Sequence, residues 1–154
     1  MPEPLSSKGR VLALDLGKRR IGVAVSDLLG LTAQGLATLE RTNIREDLAR
    51  LARLVEEKEV SLIVVGNPIH MSGREGRQAE WAKEFGERLR KHTGLPVRYW
   101  DERLTSAEAQ RVLRASGISS RKRARAVDRL SAVLLLESYL DSVATLEEGG
   151  SPAA

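Results

Sequence analysis

Two apolar runs near the start, VLALDLG at 11–17 and IGVAVSD at 21–27, are separated by only three basic residues. Short apolar runs joined by so brief a link are predicted to be buried strands paired as a hairpin. LATLER at 36–41 extends the pair into a meander as a third strand. The period then changes. Ile44, Leu48, Leu51 and Val55 recur at helical spacing, Leu54 widens the stripe, and Arg, Glu and Asp fill the remaining positions. SLIVVGNP at 61–68 is a central strand stopped by Gly66, Asn67 and Pro68. A helix is predicted from about Arg77 to His92, closed by TGLP, followed by a strand over 97–101. Thr105 with Glu108 three residues on forms a capping box that starts a further helix at about Ser106. After a basic block, VDRLSAVLLLESYL at 127–140 is a strongly apolar closing helix. Its Ser131 and Ala132 are small enough for close packing on a sheet. The order predicts an α/β domain, a mixed five-stranded sheet flanked by helices. Residues 10–142 form the single domain, with flexible tails at 1–9 and 143–154.

With 154 residues the chain suits one domain with a real core. Hydrophobic residues make up 42% and charged residues 30%, the balance of a soluble globular protein. No apolar run approaches the roughly 20 residues that span a bilayer, and MPEPLSSKGR lacks a signal-peptide core, so a cytoplasmic location without membrane contact is expected. The absence of cysteine excludes disulfides, thiolate nucleophiles, iron–sulfur clusters and cysteine-based zinc sites. Two histidines, His70 and His92, are too few for a zinc-type cluster. A metal would therefore sit on carboxylates, which favours Mg²⁺ or Mn²⁺. The net charge is +4, but seven basic residues stand against Asp128 alone between Arg111 and Arg129, a local +6 that leaves −2 elsewhere. A basic block on a near-neutral body suits phosphate binding, and charge alone fits a solvated loop equally well.

Three acids fall where ligands gather in open α/β sheets, beyond the carboxyl ends of parallel strands. Asp15 is near the end of the first strand, Asp101 and Glu102 end the last, and Asp128 is expected in the first turn of the closing helix. Converging carboxylates resist joint ionisation, and a divalent cation relieves that repulsion. One or two such ions can clamp an in-line phosphoryl displacement. Each acid also has a plainer role. Asp15 before Gly17 can make a turn, Asp128 can answer the helix dipole, and Asp101 or Glu102 can pair with Arg103. Strand alternation sends Asp101 and Glu102 to opposite faces, so one of the two reaches a shared site.

DLGKRRIGVAVSD, VVGNP, DERLTSAEA and VDRLSAVLLLESYL, in that order, resemble the YqgF/RuvX family over roughly residues 10–141. Members are described as Holliday-junction resolvases and as nucleases that mature the 5′ end of pre-16S rRNA. The resemblance implies an RNase H-like fold, with catalytic and metal-ligating acids at Asp15, Glu102 and Asp128 and Asp101 in reserve for the middle position. The family often has Gly-Leu-Pro where this chain has Gly66-Asn67-Pro68, and an Asn is common where His70 stands. Lys18, Arg19, Arg20, Arg74, Arg77 and Arg103, with Arg121, Lys122, Arg123 and Arg125, are expected to form a phosphate-tracking rim. With so few aromatic residues a base-stacking platform is not expected, and Tyr99 and Trp100 serve the core.

The leading expectation is a divalent-metal-dependent endonuclease acting on structured nucleic acid, with the 5′ end of pre-16S rRNA ahead of branched DNA as substrate. Ribosomal particles are a further candidate partner. A resolvase of branched DNA must cut two strands symmetrically as a homodimer, whereas an rRNA nuclease can act as a monomer. A binder of rRNA or the ribosome without catalysis is the third reading, and a phosphate-loop ATPase needs a second such domain.

Overall fold

The computed structural model describes residues 9–67, 77–101, 115, 117 and 120–149. In chain order the elements are β1 (Arg10–Leu16), β2 (Arg20–Ser26), β3 (Ala33–Gly35), β4 (Leu39–Glu40), α1 (Ile44–Glu57), β5 (Val60–Asn67), α2 (Arg77–Thr93), β6 (Val97–Asp101) and α3 (Ser120–Gly149). The expected helix from about Ser106 begins outside the described residues. No helix among the described residues is long and apolar enough to cross a membrane.

The sheet order is β3-β2-β1-β5-β6, with β4 also pairing β2. β1 and β2 are the antiparallel hairpin, with Asp15 opposite Gly22. β1, β5 and β6 run parallel, Leu14 beside Val65 and Val65 beside Tyr99. Their carboxyl ends therefore share one edge of the sheet. Among the described residues the sheet is mixed as expected but has six strands: the strand expected over 36–41 forms only at Leu39–Glu40, and Ala33–Gly35 before it makes a further one. Ala24 pairs with Gly35 and Ile21 with Leu39, so 36–38 oppose only Gly22 and Val23. One surplus residue interrupts the ladder, as in a β-bulge.

Alternation divides the core into two layers. On one face Leu12, Leu14, Ile21, Val23, Ile63 and Val65 meet Leu48 and Leu51 of α1 and Phe85 and Leu89 of α2. The predicted α1 stripe is buried at Leu48, Leu51 and Val55. Asn43 caps that helix, its Oδ1 accepting from the Glu46 N–H at 2.9 Å, a contact worth about 1 kcal/mol. On the other face Val11, Ala13, Ala24, Leu62 and Val64 meet Ala132, Leu135, Leu136 and Tyr139 of α3. Small residues on both sides, including the buried Ser131 and Ala132, let α3 lie close to the sheet. Tyr99 packs with the α1–α2 layer and Trp100 with the α3 layer, so both serve the core.

α3 is longer than the expected 127–140. Arg121, Lys122, Arg123 and Arg125 stand in its first two turns, and 143–149 prolong it at the other end, where Val143 still packs on the core. Arginine, lysine and alanine are good helix formers, so 120–126 is helical without an apolar stripe to announce it.

Candidate active site

Residues directly opposite in an antiparallel pair project to the same face. Ala13 and Ala24 are one such pair, and both lie under α3. Asp15 and Gly22, two residues further along, are the next pair on that face. Gly22 is where the helix backbone touches the sheet. A Cβ added there would lie 2.1 Å from the Asp128 carbonyl oxygen and 2.8 Å from its carbonyl carbon. Only glycine allows this approach, and it sets Asp128 above the β1–β2 pair, next to Asp15. Asp15 is half-buried and makes a polar or electrostatic contact of its own.

Arg20 completes the group. It shares the parity of Gly22 and Ala24, and its Nε donates to Asp128 Oδ2 at 2.7 Å. The two side chains retain 26% and 23% of their exposure, so the pair is open to water on one side. The Asp128 hydrogen bond raises the Arg20 pKa, burial opposes it, and the charges of Asp128 and Glu40 add to the rise. The Arg20 carbonyl accepts from the Gly17 N–H at 2.9 Å, closing a tight turn with Lys18 and Arg19 exposed at its tip.

Asp128 is not in the first turn of its helix, as expected from sequence. Eight residues of α3 precede it, about 12 Å of helix, so the N-terminal dipole does not explain its charge. α3 runs alongside β2, from Asp128 at Gly22 to Leu140 beside Gly30 in the loop after β2. Its first two turns, which carry the basic positions 121–125, therefore reach past the edge where β2 begins. The basic block is a helical projection beside the acids rather than a loop before the helix.

The remaining expected residues divide between the ends of described elements and stretches outside the described residues. Asp101 closes β6 beside Asn67 of β5. In β6, Val97 and Tyr99 pack toward α1 and α2 while Trp100 packs toward α3, so the α3 face belongs to even positions. Arg77 opens α2. His70, Arg74, Glu102 and Arg103 lie outside the described residues. Asp101 thus stands at the same edge. Asp15 and Asp128 are the acids on its α3 face among the described residues, and among these residues no group of three metal-ligating side chains forms.

Sequence reasoning missed a second charged group just behind the basic turn. Asp47, counted with the polar face of α1, is buried at 1% exposure. Its carboxylate accepts from Arg50 Nη2 at 2.7 Å, Arg41 Nε at 3.2 Å and the Thr42 N–H at 3.2 Å. Burial pushes the Asp47 pKa up, but the bonds from Thr42, Arg50 and Arg41 together outweigh it and hold the carboxyl low. Arg41 also lies over the Trp81 ring at 4.5 Å and donates from Nη1 to the Gly17 carbonyl at 3.3 Å. Its own N–H donates to the Arg19 carbonyl at 2.8 Å. This network braces the turn that carries Lys18 and Arg19. The available signal was Asp47 and Arg50 at i, i+3 behind a capping Asn, a spacing equally common on exposed helix faces.

Comparison with known proteins follows the same lines. Residues 9–142 match the model of the RuvX family, described as Holliday junction resolvase. A protein of Koribacter versatilis, "Putative pre-16S rRNA nuclease", is 56% identical over 141 residues, covering 92% of each chain. One of the same name from Heliobacterium modesticaldum is 48% identical over 137 residues, covering 89% of this chain and 92% of its own. Among solved structures, T. thermophilus RuvC in complex with a Holliday junction superposes with a TM-score of 0.55 at 15% identity, covering 89% of this chain and 97% of RuvC. Fowlpox virus resolvase, also with junction DNA, gives 0.54 at 13% identity, covering 87% and 98%. At such low identity these likenesses speak to the fold, which is RNase H-like.

Proposed function

The chain belongs to the RuvX family, and from that premise we propose that it is a divalent-metal-dependent endonuclease that hydrolyses phosphodiester bonds of structured nucleic acid. The observation that carries this reading is the contact of Asp128 with Gly22, beside Asp15, at the carboxyl edge of the parallel strands. Two carboxylates at one open edge are hard oxygen donors of the kind Mg²⁺ or Mn²⁺ takes. Glu102 has the parity of Trp100 and Asp101 that of Tyr99, so alternation favours Glu102 as the third donor over Asp101.

A bound divalent ion, or a pair of them, would activate the attacking water and stabilise the leaving oxygen. Asp15, Asp128 and Glu102 hold and orient that charge. Lys18 and Arg19 at the turn, with Arg77, Arg74 and Arg103, meet backbone phosphates without reading sequence. Arg121, Lys122, Arg123 and Arg125 extend the same rim along the projecting end of α3. The acting surface is thus an acidic centre inside a basic border, which suits a polyanion cut at one bond.

The names of the relatives favour pre-16S rRNA as substrate, and on our reading the cut falls at its 5′ end, within ribosomal particles in the cytoplasm. The family description favours branched DNA as the second reading, and that reaction requires two active sites related by a twofold axis. The test is cleavage of a pre-16S 5′ fragment and a four-way DNA junction in Mn²⁺ or Mg²⁺. Wild type is expected to cut the RNA, and Asp15→Asn and Asp128→Asn to leave it intact. Junction cleavage by a dimer would move the substrate to DNA. If wild type cuts neither, the protein is a binder without catalysis.

A further inference from the structure

We propose that Arg20 acts as a built-in counter-cation for Asp128, released when substrate phosphate arrives, so that nucleic-acid binding and metal loading are coupled. This rests on the reading of Asp128 as a metal ligand and adds a positioning role to a residue otherwise counted with the phosphate rim.

The three consecutive basic residues after Gly17 are not equivalent. Lys18 and Arg19 are exposed at the tip of the turn, whereas Arg20 is half-buried and bonded to Asp128 at 2.7 Å. Both backbones are fixed. Arg20 is held by the Gly17 bond and by pairing with Glu40 of β4, and Asp128 by its contact with Gly22. The two residues are therefore kept within reach of each other, and only the side chains are free to rearrange.

A carboxylate oxygen that accepts a charge-assisted hydrogen bond offers fewer lone pairs to a metal, and the guanidinium repels a second cation. Arg20 in this position thus weakens metal binding by the protein alone. A phosphate entering the site offers the planar guanidinium two acceptor oxygens, which match its fork better than one carboxylate oxygen does. Glu40, its cross-strand neighbour, projects to the same face and already acts on Arg20 through its charge. Once Arg20 turns to phosphate, Asp128 regains both oxygens for the ion. Coupling of this kind is reciprocal, so the metal also tightens nucleic-acid binding by the same factor.

The experiment is calorimetric titration of Mn²⁺ into the full chain, with and without a 16-base-pair RNA duplex, for wild type, Arg20→Gln, Arg20→Lys and Asp128→Asn. Folding of each is checked by circular dichroism. The expected result is that Arg20→Gln binds Mn²⁺ about fivefold or more tightly than wild type without RNA. The duplex tightens Mn²⁺ binding to wild type by a similar factor and has little effect on Arg20→Gln. Arg20→Lys, which keeps the charge but loses the fork, falls between them. Equal or weaker Mn²⁺ binding by Arg20→Gln, or the same tightening by RNA in both proteins, would overturn the inference. The underlying reading has its own control. Loss of Mn²⁺ binding in Asp128→Asn supports the ligand role whatever Arg20 does, while no Mn²⁺ binding by wild type, or undiminished binding in Asp128→Asn, sinks both.

Discussion

Two aspartates meet arginine on opposite faces of the same sheet. Asp47, between α1 and α2, is 1% exposed and accepts from two arginines and a backbone N–H. Asp128, under α3, is 23% exposed and, among the described residues, accepts from Arg20 alone. The first carboxylate has its lone pairs committed and no route to solvent. The second keeps lone pairs and an open side. Packing follows the same division: Leu, Ile, Val and Phe fill the α1–α2 layer, whereas Gly22, Ala13, Ala24 and Ala132 line the α3 layer. A sealed charge in a thick layer serves the fold, and an open charge where a helix backbone touches the sheet is suited to a ligand.

Of the two carboxylates, Asp47 is expected to matter more to stability. Asp47→Ala leaves two arginines without their carboxylate and is expected to cost about 3 kcal/mol or more. For a chain of this size that is a fall in Tm of roughly 6–12 °C, measurable by thermal denaturation. Cleavage per folded molecule should fall far less than in Asp128→Asn. Next in size is Gly22→Ala. The new Cβ meets the Asp128 carbonyl, a backbone atom that cannot swing aside, so α3 must shift. The expected cost is about 2 kcal/mol, read by urea denaturation, with activity lost together with stability.

A smaller effect is expected in the pH dependence of stability. The folded-state pKa of Asp47 lies below the ordinary carboxylate value of 3.8, so its contribution is complete above that value and lost as pH falls below it. The stability difference between wild type and Asp47→Asn should therefore be constant near neutrality and shrink below about pH 4. A difference that persists undiminished into strong acid would contradict the assignment. Smallest of all is Glu87→Gln on α2, where the Glu87–Arg90 pair is about half exposed on both sides. Such a pair is screened by water, and Tm should change by no more than about 1 °C.

These differences also mark what a reader of the chain alone can see. The hairpin, the α1 stripe and the strand-end acids are legible because period and apolar runs depend on neighbours in sequence. Asp47 is not legible, because its partner Arg41 comes from the segment before α1 and is itself held over the Trp81 and Phe85 rings of α2. The start of α3 escaped for a related reason: Ser120 to Ala126 has helix-forming residues but no apolar stripe. That omission misplaced Asp128 within its helix. Gly22 is the subtlest case. In IGVAVSD it looks like an ordinary strand glycine, and its necessity appears only when a helix more than a hundred residues later lies on it.

The claim that the open carboxylates at this edge perform metal-dependent chemistry is tested most directly by Asp128→Asn, an isosteric change that removes charge but not volume. Cleavage of a pre-16S 5′ fragment in Mn²⁺ should fall by about a hundredfold or more. The Tm should move by no more than a few degrees, because the Arg20 pair is partly exposed. Wild-type cleavage should vanish with EDTA and return with Mn²⁺. If Asp128→Asn cuts as fast as wild type while folded, the acidic edge is not the active site.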